Sequence, residues 1–410
     1  MFLLSQMLKR LIKTGTLTVI DYNGREYVFS GAPGRTSTMR FHDKKTARKL
    51  AFYPKLRLGE LFMEGEMTVE EGDIYDLLTL FVTNFDWRSH HPFSAFSDLV
   101  QKIVWYLTKY NPRSRSLNNV AHHYDLSDEL YELFLDSNRQ YSCAYFERPN
   151  DSLEQAQLQK MSHITAKLAL EPGQKVLDIG CGWGGLAQFI AENTNSHVSG
   201  ITLSTNQLTY ARERARQAGL DGNVDYSLTD YRDVSETYDR IVSVGMFEHV
   251  GAPHYKAFFD KIRTTLAEDG IALIHTIGAA NTPSPINPWI QKYIFPGSYI
   301  PSLSQVAAAI EKAGLYIDDI EILRVHYAET LRIWRENFNA NREKATEIYD
   351  ERFCRMWEFY LTSVEAAFRV GSLVVFQIQI SKQMDGAPIT RDYIGDTRRQ
   401  LQSQQRQAAE

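Results

Sequence analysis

The chain of 410 residues has few cysteines and no long apolar segment. Its three cysteines, Cys143, Cys181 and Cys354, are odd in number and far apart, which excludes a disulfide framework and favours a reducing compartment. No apolar run approaches the ~20 residues of a membrane-spanning helix. The first residues are apolar and then basic, the reverse order of a secretory signal, so we expect a cytoplasmic protein.

The net charge is also small, at −5 over 410 residues. It is therefore too weak to indicate a nucleic-acid-binding protein. Hydrophobic residues make up 43%, aromatic residues 12% and charged residues 23% of the chain. These fractions exclude a disordered or collagen-like chain and are typical of a packed globular protein. The length is too great for one ordinary core and fits two domains.

Residues 1–60 differ in charge from the rest of the chain. They contain twelve Lys or Arg and four Asp or Glu, a surplus of eight positive charges, which leaves −13 on the remainder. Beside Lys9, Arg10 and Lys13, apolar residues recur at helical spacing, at positions 3, 4, 7, 8 and 11. This pattern is typical of a helix on an anionic membrane surface, although a solvated face or a helix packed on its own domain fits equally well.

The order of the predicted elements divides the chain into four segments. Two β-rich runs around Asn23-Gly24 predict a hairpin, and short elements up to residue 85 predict a first domain of the α+β class, 1–85, before a linker at 86–117. Strands that alternate with helices predict an α/β domain over 118–390, with a parallel sheet covered by helices on both faces. Residues 373–380 are expected at the edge of this sheet, and residues 391–410 form a polar tail that is expected to fray.

A glycine-rich turn after the first strand of the α/β domain is the most informative motif, Val176-Leu-Asp-Ile-Gly-Cys-Gly-Trp-Gly-Gly. Three of its glycines satisfy the dinucleotide pattern G-x-G-x-x-G, so an NAD or flavin enzyme is an alternative. However, the Asp178 carboxylate would repel a pyrophosphate, whereas it suits a ligand with an ammonium and a sulfonium group. The second strand ends in Gly200-Ile-Thr-Leu-Ser, without the acid that a dinucleotide ribose needs. We therefore expect S-adenosylmethionine rather than NAD.

Polar residues after the second and third strands are further candidates for cofactor contacts. Thr202 and Gln207 can supply neutral hydrogen bonds to the ribose, although Gln207 also fits a capping box with Ser204. Asp230 can accept a hydrogen bond from the adenine amine and Tyr231 can stack on the ring. A loop acid without a ligand is the alternative interpretation of Asp230.

Seven motifs occur in an order that is far more specific than the glycine turn alone. They are Tyr124-Asp-Leu-Ser, Gln140-Tyr-Ser-Cys-Ala-Tyr, Val176-Leu-Asp-Ile-Gly-Cys-Gly-Trp-Gly, Gly245-Met-Phe-Glu-His-Val-Gly, Leu273-Ile-His-Thr-Ile-Gly, Pro288-Trp-Ile-Gln-Lys-Tyr-Ile-Phe-Pro-Gly and His326-Tyr-Ala-Glu-Thr-Leu. With this set the chain resembles the cyclopropane-fatty-acyl-phospholipid synthases and the mycolic acid cyclopropane synthases over about residues 118–382. The resemblance implies a Rossmann-like class I methyltransferase sheet, mostly parallel with seven strands, and a smaller N-terminal α+β domain. That first domain resembles the longer bacterial synthases, where it is linked to dimer contacts, so a homodimer is expected.

The resemblance also implies a reaction, in which the methyl group of S-adenosylmethionine adds to a cis double bond of a phospholipid acyl chain and a cyclopropane ring closes. In the family a bound bicarbonate takes up the proton that is lost. Its ligands carry over to Cys143, Glu248, His275, Ile277 and Tyr327. The cofactor contacts of the family carry over to Tyr141, Ser142, Gly180, Gly182, Thr202, Leu203, Gln207, Asp230 and Tyr231. Asp178 of the glycine-rich turn completes the set of candidate cofactor contacts. Four aromatic residues are candidates to face the developing cation, namely Tyr145, Phe247, Trp289 and Tyr293.

The residue types suit an anion site, but each also has a structural interpretation. The amides of Cys143 and Ile277 can donate to an anion, as can His275 and Tyr327, while Glu248 can accept its acidic proton. Cys143 can equally be a small buried residue, and we expect no covalent role for it. His275 can be a core histidine, although the carboxyl end of a parallel strand favours a ligand. No spacing of Cys and His fits a metal site, so we expect no metal.

Other functions and partners remain open at this point. The double bond lies in a bilayer, so we expect an unsaturated phospholipid as partner and peripheral association with the inner face of the cell membrane. The same carbocation can lose another proton, which would give a methyl- or methylene-branched product and a route to furan fatty acids. A small-molecule methyltransferase would need neither the basic segment nor the anion ligands. A lipid carrier without activity would bind vesicles but not S-adenosylmethionine.

Overall fold

The computed structural model describes residues 1–85 and 126–409, which belong to two compact units. The first unit contains residues 1–85, Ser284–Pro296 and Ala328–Leu373. The second unit contains residues 126–283, Gly297–Tyr327 and 374–409. The two units are therefore interleaved along the chain, whereas the sequence suggested consecutive domains. The expected linker at 86–117 lies outside the described residues.

The helices and strands of the described ranges are labelled in chain order. The helices are α1 (Phe2–Leu11), α2 (Thr46–Phe52), α3 (Pro54–Met63), α4 (Ile74–Asn84), α5 (Asp128–Glu132), α6 (Leu153–Lys167), α7 (Gly185–Thr194), α8 (Thr205–Gln217), α9 (Tyr255–Thr265), α10 (Pro288–Tyr293), α11 (Leu303–Lys312), α12 (His326–Ala340), α13 (Arg342–Ile348), α14 (Glu351–Arg369) and α15 (Asp392–Ala409). The strands are β1 (Thr14–Ile20), β2 (Glu26–Ser30), β3 (Ala32–Phe41), β4 (Met67–Glu71), β5 (Lys175–Ile179), β6 (His197–Thr202), β7 (Val224–Leu228), β8 (Tyr238–Val244), β9 (Leu266–Ala279), β10 (Tyr316–Leu323) and β11 (Leu373–Ser381). None of these helices combines the length and the apolar character that are needed to cross a membrane.

The first unit contains a four-stranded mixed sheet in the order β2-β1-β3-β4. As the Asn23-Gly24 pair predicts, β1 and β2 form an antiparallel hairpin. Gly24 has a φ of +83°, a left-handed conformation that glycine adopts without steric cost. Leu17 and Val19 point to one face of β1 and are buried, which gives this sheet its apolar face.

The later helix α10 packs within this first unit. The Trp289 indole lies edge-on against the Phe359 ring, with 4.6 Å between ring centroids, and donates to Met63 Sδ at 3.1 Å. Tyr293 Oη donates to the Glu60 carboxylate at 2.9 Å. Trp289 and Tyr293, which were candidates to face a cation, thus have structural partners in the first unit.

The second unit contains a seven-stranded sheet in the order β10-β11-β9-β8-β5-β6-β7. Strands β9, β8, β5, β6 and β7 pair in parallel, and β10 pairs antiparallel with β11. This arrangement confirms the Rossmann-like, mostly parallel sheet that was expected. In its core, Val176 of β5, Val198 of β6 and Val242 of β8 pack with Ile164 of α6 and Leu186 of α7.

The expected position of residues 373–380 at the sheet edge was wrong, because β11 lies between β10 and β9. The polar residues Gln377 and Gln379 suggested a half-exposed strand, but both are buried. Gln377 Nε2 lies 3.1 Å from His275 Nδ1, and Gln379 Nε2 donates to the Lys167 carbonyl at 2.6 Å. Each amide nitrogen therefore has an internal partner, which allows both side chains to lie in the interior, while Gln377 Oε1 has no hydrogen-bond partner among the described residues.

The expected frayed tail was also wrong, because residues 392–409 form helix α15. Ile394 and Leu401 lie seven residues apart, on one face of this helix, and both are buried. The Arg398 guanidinium also pairs with the Glu147 carboxylate at 3.1 Å. Two apolar side chains on one face dock the helix, and they are easily overlooked in a segment rich in Gln and Arg.

Candidate active site

The glycine-rich turn lies where β5 ends and α7 begins. Gly180 has a φ of +83°, and a Cβ on it would lie 2.9 Å from Met246 Cβ. Gly184 has a φ of +84°, and a Cβ there would lie 2.5 Å from Tyr226 Oη. Both the conformation and the close packing therefore require glycine at these two positions.

The turn forms one wall of a cavity of about 190 Å³ at the carboxyl ends of β5, β6 and β8. All ten residues that the sequence named as cofactor contacts lie in its lining. They are Tyr141, Ser142, Asp178, Gly180, Gly182, Thr202, Leu203, Gln207, Asp230 and Tyr231. The carboxyl ends of parallel strands are where such sheets bind ligands, so this cavity is the candidate cofactor site.

Asp178 is the acidic group of this cavity that best fits a cationic ligand. Its side chain is buried, and its Oδ2 has no hydrogen-bond partner among the described residues. Burial raises the pKa of Asp178 to about 7, although the nearby Lys160 ammonium favours the ionised form. A buried carboxylate oxygen without a partner in a cavity wall suits an ammonium or sulfonium group, so the residues present fit S-adenosylmethionine.

Only half of the capping box expected at the start of α8 forms. Ser204 Oγ accepts from the Gln207 amide at 3.4 Å, as an N-cap does. The Gln207 side chain does not return to Ser204, because its Oε1 accepts from the Thr202 hydroxyl at 2.9 Å. This contact joins two residues of the cavity wall and orients Thr202.

Asp230 has a structural role in addition to its place in the cavity wall. Its carboxylate accepts from Arg232 Nε at 2.8 Å and from Arg232 Nη2 at 2.5 Å, and it caps the turn at Tyr231–Asp233. The neighbouring Tyr231 ring lies edge-on to Phe258, with 5.2 Å between centroids. An adenine contact at Asp230 would therefore share a carboxylate that already holds an arginine.

Glu248 and Ile277 form a second polar site beside the cavity. Glu248 lies in the turn at Phe247–His249, between Met246 and His249, which both line the cavity. Its Oε1 accepts from the Ile277 amide at 2.6 Å, while its buried Oε2 has no hydrogen-bond partner among the described residues. Burial raises the pKa of Glu248 to about 7. The Ile277 amide, expected to donate to an anion, therefore donates to Glu248 instead.

His275 lies at the carboxyl end of β9 and is buried. Burial and the charge of nearby Lys160 lower its pKa to about 3, so the imidazole is neutral. The amide nitrogen of Gln377 lies 3.1 Å from Nδ1, which makes Nδ1 an acceptor and leaves the proton on Nε2. His275 can thus donate one hydrogen bond from Nε2.

Cys143 and Tyr327 complete the set of candidate anion ligands. Cys143 is fully buried directly after Ser142 of the cavity wall, and burial raises the pKa of its thiol, which keeps it protonated. Tyr327 is buried at the start of α12, next to His326, whose Nδ1 accepts from the Phe146 amide at 3.0 Å. The five candidates lie outside the cavity lining, and among them a hydrogen bond joins Glu248 to Ile277.

Several polar residues of this region were missed in the sequence. Arg139 and Gln140 line the cavity, as does His249, which the sequence left as structural. Gln157 and Lys160 are fully buried on α6 and hold the segment at 140–143. Their spacing of three places them on one helix face, but nothing in the sequence distinguishes that face from a solvated one.

No group of three or more metal-ligating side chains occurs within residues 1–85 and 126–409. The candidate aromatic residues of the second unit also have structural partners. Phe247 stacks on Tyr255, with 4.4 Å between centroids, and Tyr145 stacks on both His163 and His326, at 4.3 Å and 4.9 Å. These rings stabilise the walls around the candidate site.

Comparison with known proteins identifies relatives over most of the chain. The family model described as mycolic acid cyclopropane synthetase matches residues 111–378. The cyclopropane-fatty-acyl-phospholipid synthase of Escherichia coli K12 is 39% identical over 330 residues, which are 80% of this chain and 84% of that protein. A probable fatty acid methyltransferase of Pseudomonas putida is 36% identical over 335 residues, 78% of this chain and 81% of that protein. The solved mycolic acid cyclopropane synthase CmaA1, complexed with SAH and CTAB, is 34% identical with a TM-score of 0.62, and the match covers 66% of this chain and 99% of that one.

Proposed function

Because the chain belongs to the family of cyclopropane-fatty-acyl-phospholipid and mycolic acid cyclopropane synthases, which are S-adenosylmethionine-dependent C-methyltransferases, we propose that it forms a cyclopropane ring on an unsaturated phospholipid acyl chain. The substrate class follows from the similarity to the E. coli synthase. We propose the ten predicted residues in the cavity lining as cofactor contacts. We propose Cys143, Glu248, His275 and Tyr327 as ligands of a bicarbonate ion, with the Ile277 amide holding the Glu248 carboxyl.

The observation that carries the proposal is the position of Glu248. Its carboxyl is buried and is held at 2.6 Å by the Ile277 amide, and its neighbours in the chain Met246 and His249 line the cofactor cavity. A buried carboxyl whose second oxygen has no partner among the described residues is costly unless a ligand uses it. The pKa of about 7 allows Glu248 to accept or return a proton near neutral pH.

The chemistry defines what these residues must do. S-adenosylmethionine, when bound, supplies an electrophilic methyl group, whose carbon–sulfur bond breaks as a carbon–carbon bond forms to the alkene. The acyl chain is then a carbocation, and the ring closes when the transferred methyl loses a proton and its C–H electrons form the second bond. We propose that a bicarbonate ion would supply the base for this proton. The Cys143 amide, His275 Nε2 and the Tyr327 hydroxyl would hold the ion as donors, and the Glu248 carboxylate would accept a hydrogen bond from its O–H group.

The product test uses labelled S-adenosylmethionine and vesicles that contain an unsaturated phospholipid. We expect an acyl chain that is heavier by one labelled methylene group and that takes up no hydrogen during catalytic hydrogenation of alkenes. A product that takes up hydrogen would overturn ring closure, and the absence of any labelled lipid would overturn the substrate class.

The variant Glu248→Gln tests the proposed role of the anion site. We expect turnover to fall by at least 100-fold while the dissociation constant for S-adenosylhomocysteine changes less than threefold, because Glu248 lies outside the cavity lining. A variant with full turnover and weak cofactor binding would contradict this role. It would also favour the small-molecule methyltransferase, which needs no anion ligands.

Methyl or methylene branching without ring closure is the second candidate function. It is favoured by the 36% identity to a probable fatty acid methyltransferase, over nearly as much of the chain as the match to the synthase. The residues of the anion site serve either outcome, because the same cation loses a different proton in each. Mass spectrometry after hydrogenation separates the two products.

We also propose that the first unit binds the inner face of the cell membrane. Leu4 and Leu8 of α1 are buried in this unit, whereas Phe2 is 82% exposed and Phe52 of α2 is 71% exposed. The basic residues Lys9 and Arg10 lie in the last turn of α1. Exposed aromatic rings close to positive charges are typical of a surface that binds anionic lipid.

The paired change Phe2→Ser and Phe52→Ser should weaken flotation with anionic vesicles at low salt. Leu228→Ser, at a position that is 52% exposed in the second unit, is the control that should leave binding intact. Equal binding of both variants would place the contact elsewhere.

We also propose that the chain forms a homodimer. Sedimentation of the full chain tests this, and a single monomeric species would refute it.

A further inference from the structure

Three polar side chains on α6, Gln157, Lys160 and Lys167, are completely buried, which is unusual for their residue types. Gln157 and Lys160 are both 0% exposed and lie three residues apart on one face of the helix. That face points to the segment at 140–143. This segment supplies Gln140, Tyr141 and Ser142 to the cofactor cavity.

Four hydrogen bonds connect the helix face to this segment. The Lys160 ammonium donates to Gln140 Oε1 at 2.6 Å and to Ser142 Oγ at 2.9 Å. Gln157 Nε2 donates to the carbonyl oxygens of Gln140 and Ser142, both at 3.1 Å. The backbone and the side chains of two cavity residues are therefore fixed by one helix.

The positive charge of Lys160 also acts on groups of the cofactor cavity and of the candidate anion site. Lys160 interacts electrostatically with Asp178 of the cavity and with Cys143, which follows the cavity wall. The same charge lowers the pKa of His275. Burial lowers the pKa of Lys160 to about 8, and the neighbouring carboxylates of Asp136 and Asp178 oppose this effect. A buried ammonium is costly, and this one acts on groups of both the candidate cofactor site and the candidate anion site.

We propose that Lys160, with the support of Gln157, is a positioning residue for residues 140–143. It holds Gln140, Tyr141 and Ser142 in the wall of the cofactor cavity and Cys143 in place as an anion ligand. This inference rests on the proposed function, because it takes the cavity as the site of S-adenosylmethionine. Lys160 lies outside the cavity lining and acts through Gln140 and Ser142.

The same helix provides a matched control in Lys167. Lys167 is also 0% exposed, but its ammonium pairs with Glu321 at 2.5 Å, and it lies outside the cavity lining. Both Lys160→Met and Lys167→Met remove a buried positive charge from α6 with little change in volume. General damage to the helix therefore affects both variants, whereas loss of positioning affects Lys160→Met alone.

The experiment measures binding of S-adenosylhomocysteine to the full chain by calorimetry, and turnover with S-adenosylmethionine and unsaturated phospholipid vesicles. We expect Lys160→Met to raise the dissociation constant at least tenfold and to raise the KM for S-adenosylmethionine more than it lowers kcat. We expect Lys167→Met to leave the dissociation constant within threefold of that of the wild type. Equal affinity of Lys160→Met and the wild type would overturn the inference, as would an equal loss in both variants.

Two further measurements keep the inference testable if Lys160→Met does not fold. Gln157→Met removes two of the four hydrogen bonds without a change in charge, and it should raise the same dissociation constant at least threefold. In the wild type, binding of S-adenosylhomocysteine should slow hydrogen exchange at the amides of 141–143, and unchanged exchange there would refute the positioning role. A wild type that binds no S-adenosylhomocysteine would instead refute the proposed function.

Discussion

The change Glu248→Gln should remove a pH-dependent loss of stability that the buried carboxyl causes. Burial raises the pKa of Glu248 from 4.5 to about 7 in the folded protein. A raised carboxyl pKa means that the folded state keeps a proton that the unfolded chain has lost. Stability contributed by this group is therefore complete below pH 4.5 and declines as the pH rises towards 7.

The size of this loss follows from the separation of the two pKa values. A difference of about 2.5 units at about 1.4 kcal/mol per unit corresponds to about 3 kcal/mol. A glutamine at this position carries no ionisable proton, so the variant should not show the decline. The free energy of unfolding of Glu248→Gln relative to the wild type should thus increase by about 3 kcal/mol between pH 4.5 and pH 8.

Urea denaturation at a series of pH values, in buffers free of bicarbonate, measures this difference. Glu236→Gln, at an exposed position in the same unit, controls for the loss of one carboxyl. A constant cost or gain of the glutamine cancels, because only the change with pH matters. Parallel pH curves for Glu248→Gln and the wild type would show that Glu248 ionises normally and would refute the reasoning.

Three further predictions concern the cofactor cavity, the histidine and the C-terminal helix. Asp178→Asn should raise the dissociation constant for S-adenosylmethionine at least tenfold in calorimetry. The affinity of the wild type should increase as the pH rises through about 7, where Asp178 ionises. Equal affinity of the variant and the wild type would contradict this. Gln377→Leu should lower turnover but leave cofactor affinity intact, because it releases Nδ1 of His275; unchanged turnover would count against the tautomer. Leu401→Ala should cost about 2–5 kcal/mol of unfolding free energy in urea titrations, since Leu401 is buried, and a frayed tail would show no cost.

The cofactor side of the site was the part most open to prediction from sequence. Its residues follow strands of a parallel sheet, and the carboxyl ends of such strands converge at one edge. Once the strands at Lys175–Ile179 and His197–Thr202 were recognised, residues after them had to lie close together. The glycine turn added the remaining constraint, because Gly180 and Gly184 have conformations that other residues adopt only with strain.

The buried polar residues were the part that sequence could not predict. Gln377, Gln379 and Lys160 have the residue types of an exposed surface, and only the partners that the fold brings to them make their burial possible. Those partners are 14 or more residues away in the chain, so no local pattern reveals them. The interleaving of the two units was hidden for a related reason, because α10 contacts residues such as Met63 that are far away in sequence.

The two buried carboxyls of the site have similar pKa values but different surroundings, which suggests a division of roles. Asp178 and Glu248 both titrate near 7, so neither needs to be fully charged before a ligand arrives. Asp178 lines the cavity and has Lys160 nearby, so a cationic ligand in that cavity would stabilise its ionised form. Glu248 Oε1 is held by the Ile277 amide and Oε2 has no hydrogen-bond partner among the described residues, so an anion with an acidic hydrogen would find an acceptor there. The charge of Lys160 acts on Asp178 and also helps to keep His275 neutral. The surroundings of the two carboxyls therefore fit the proposed reaction, in which Asp178 faces the cationic cofactor and Glu248 faces the anion that would serve as the base.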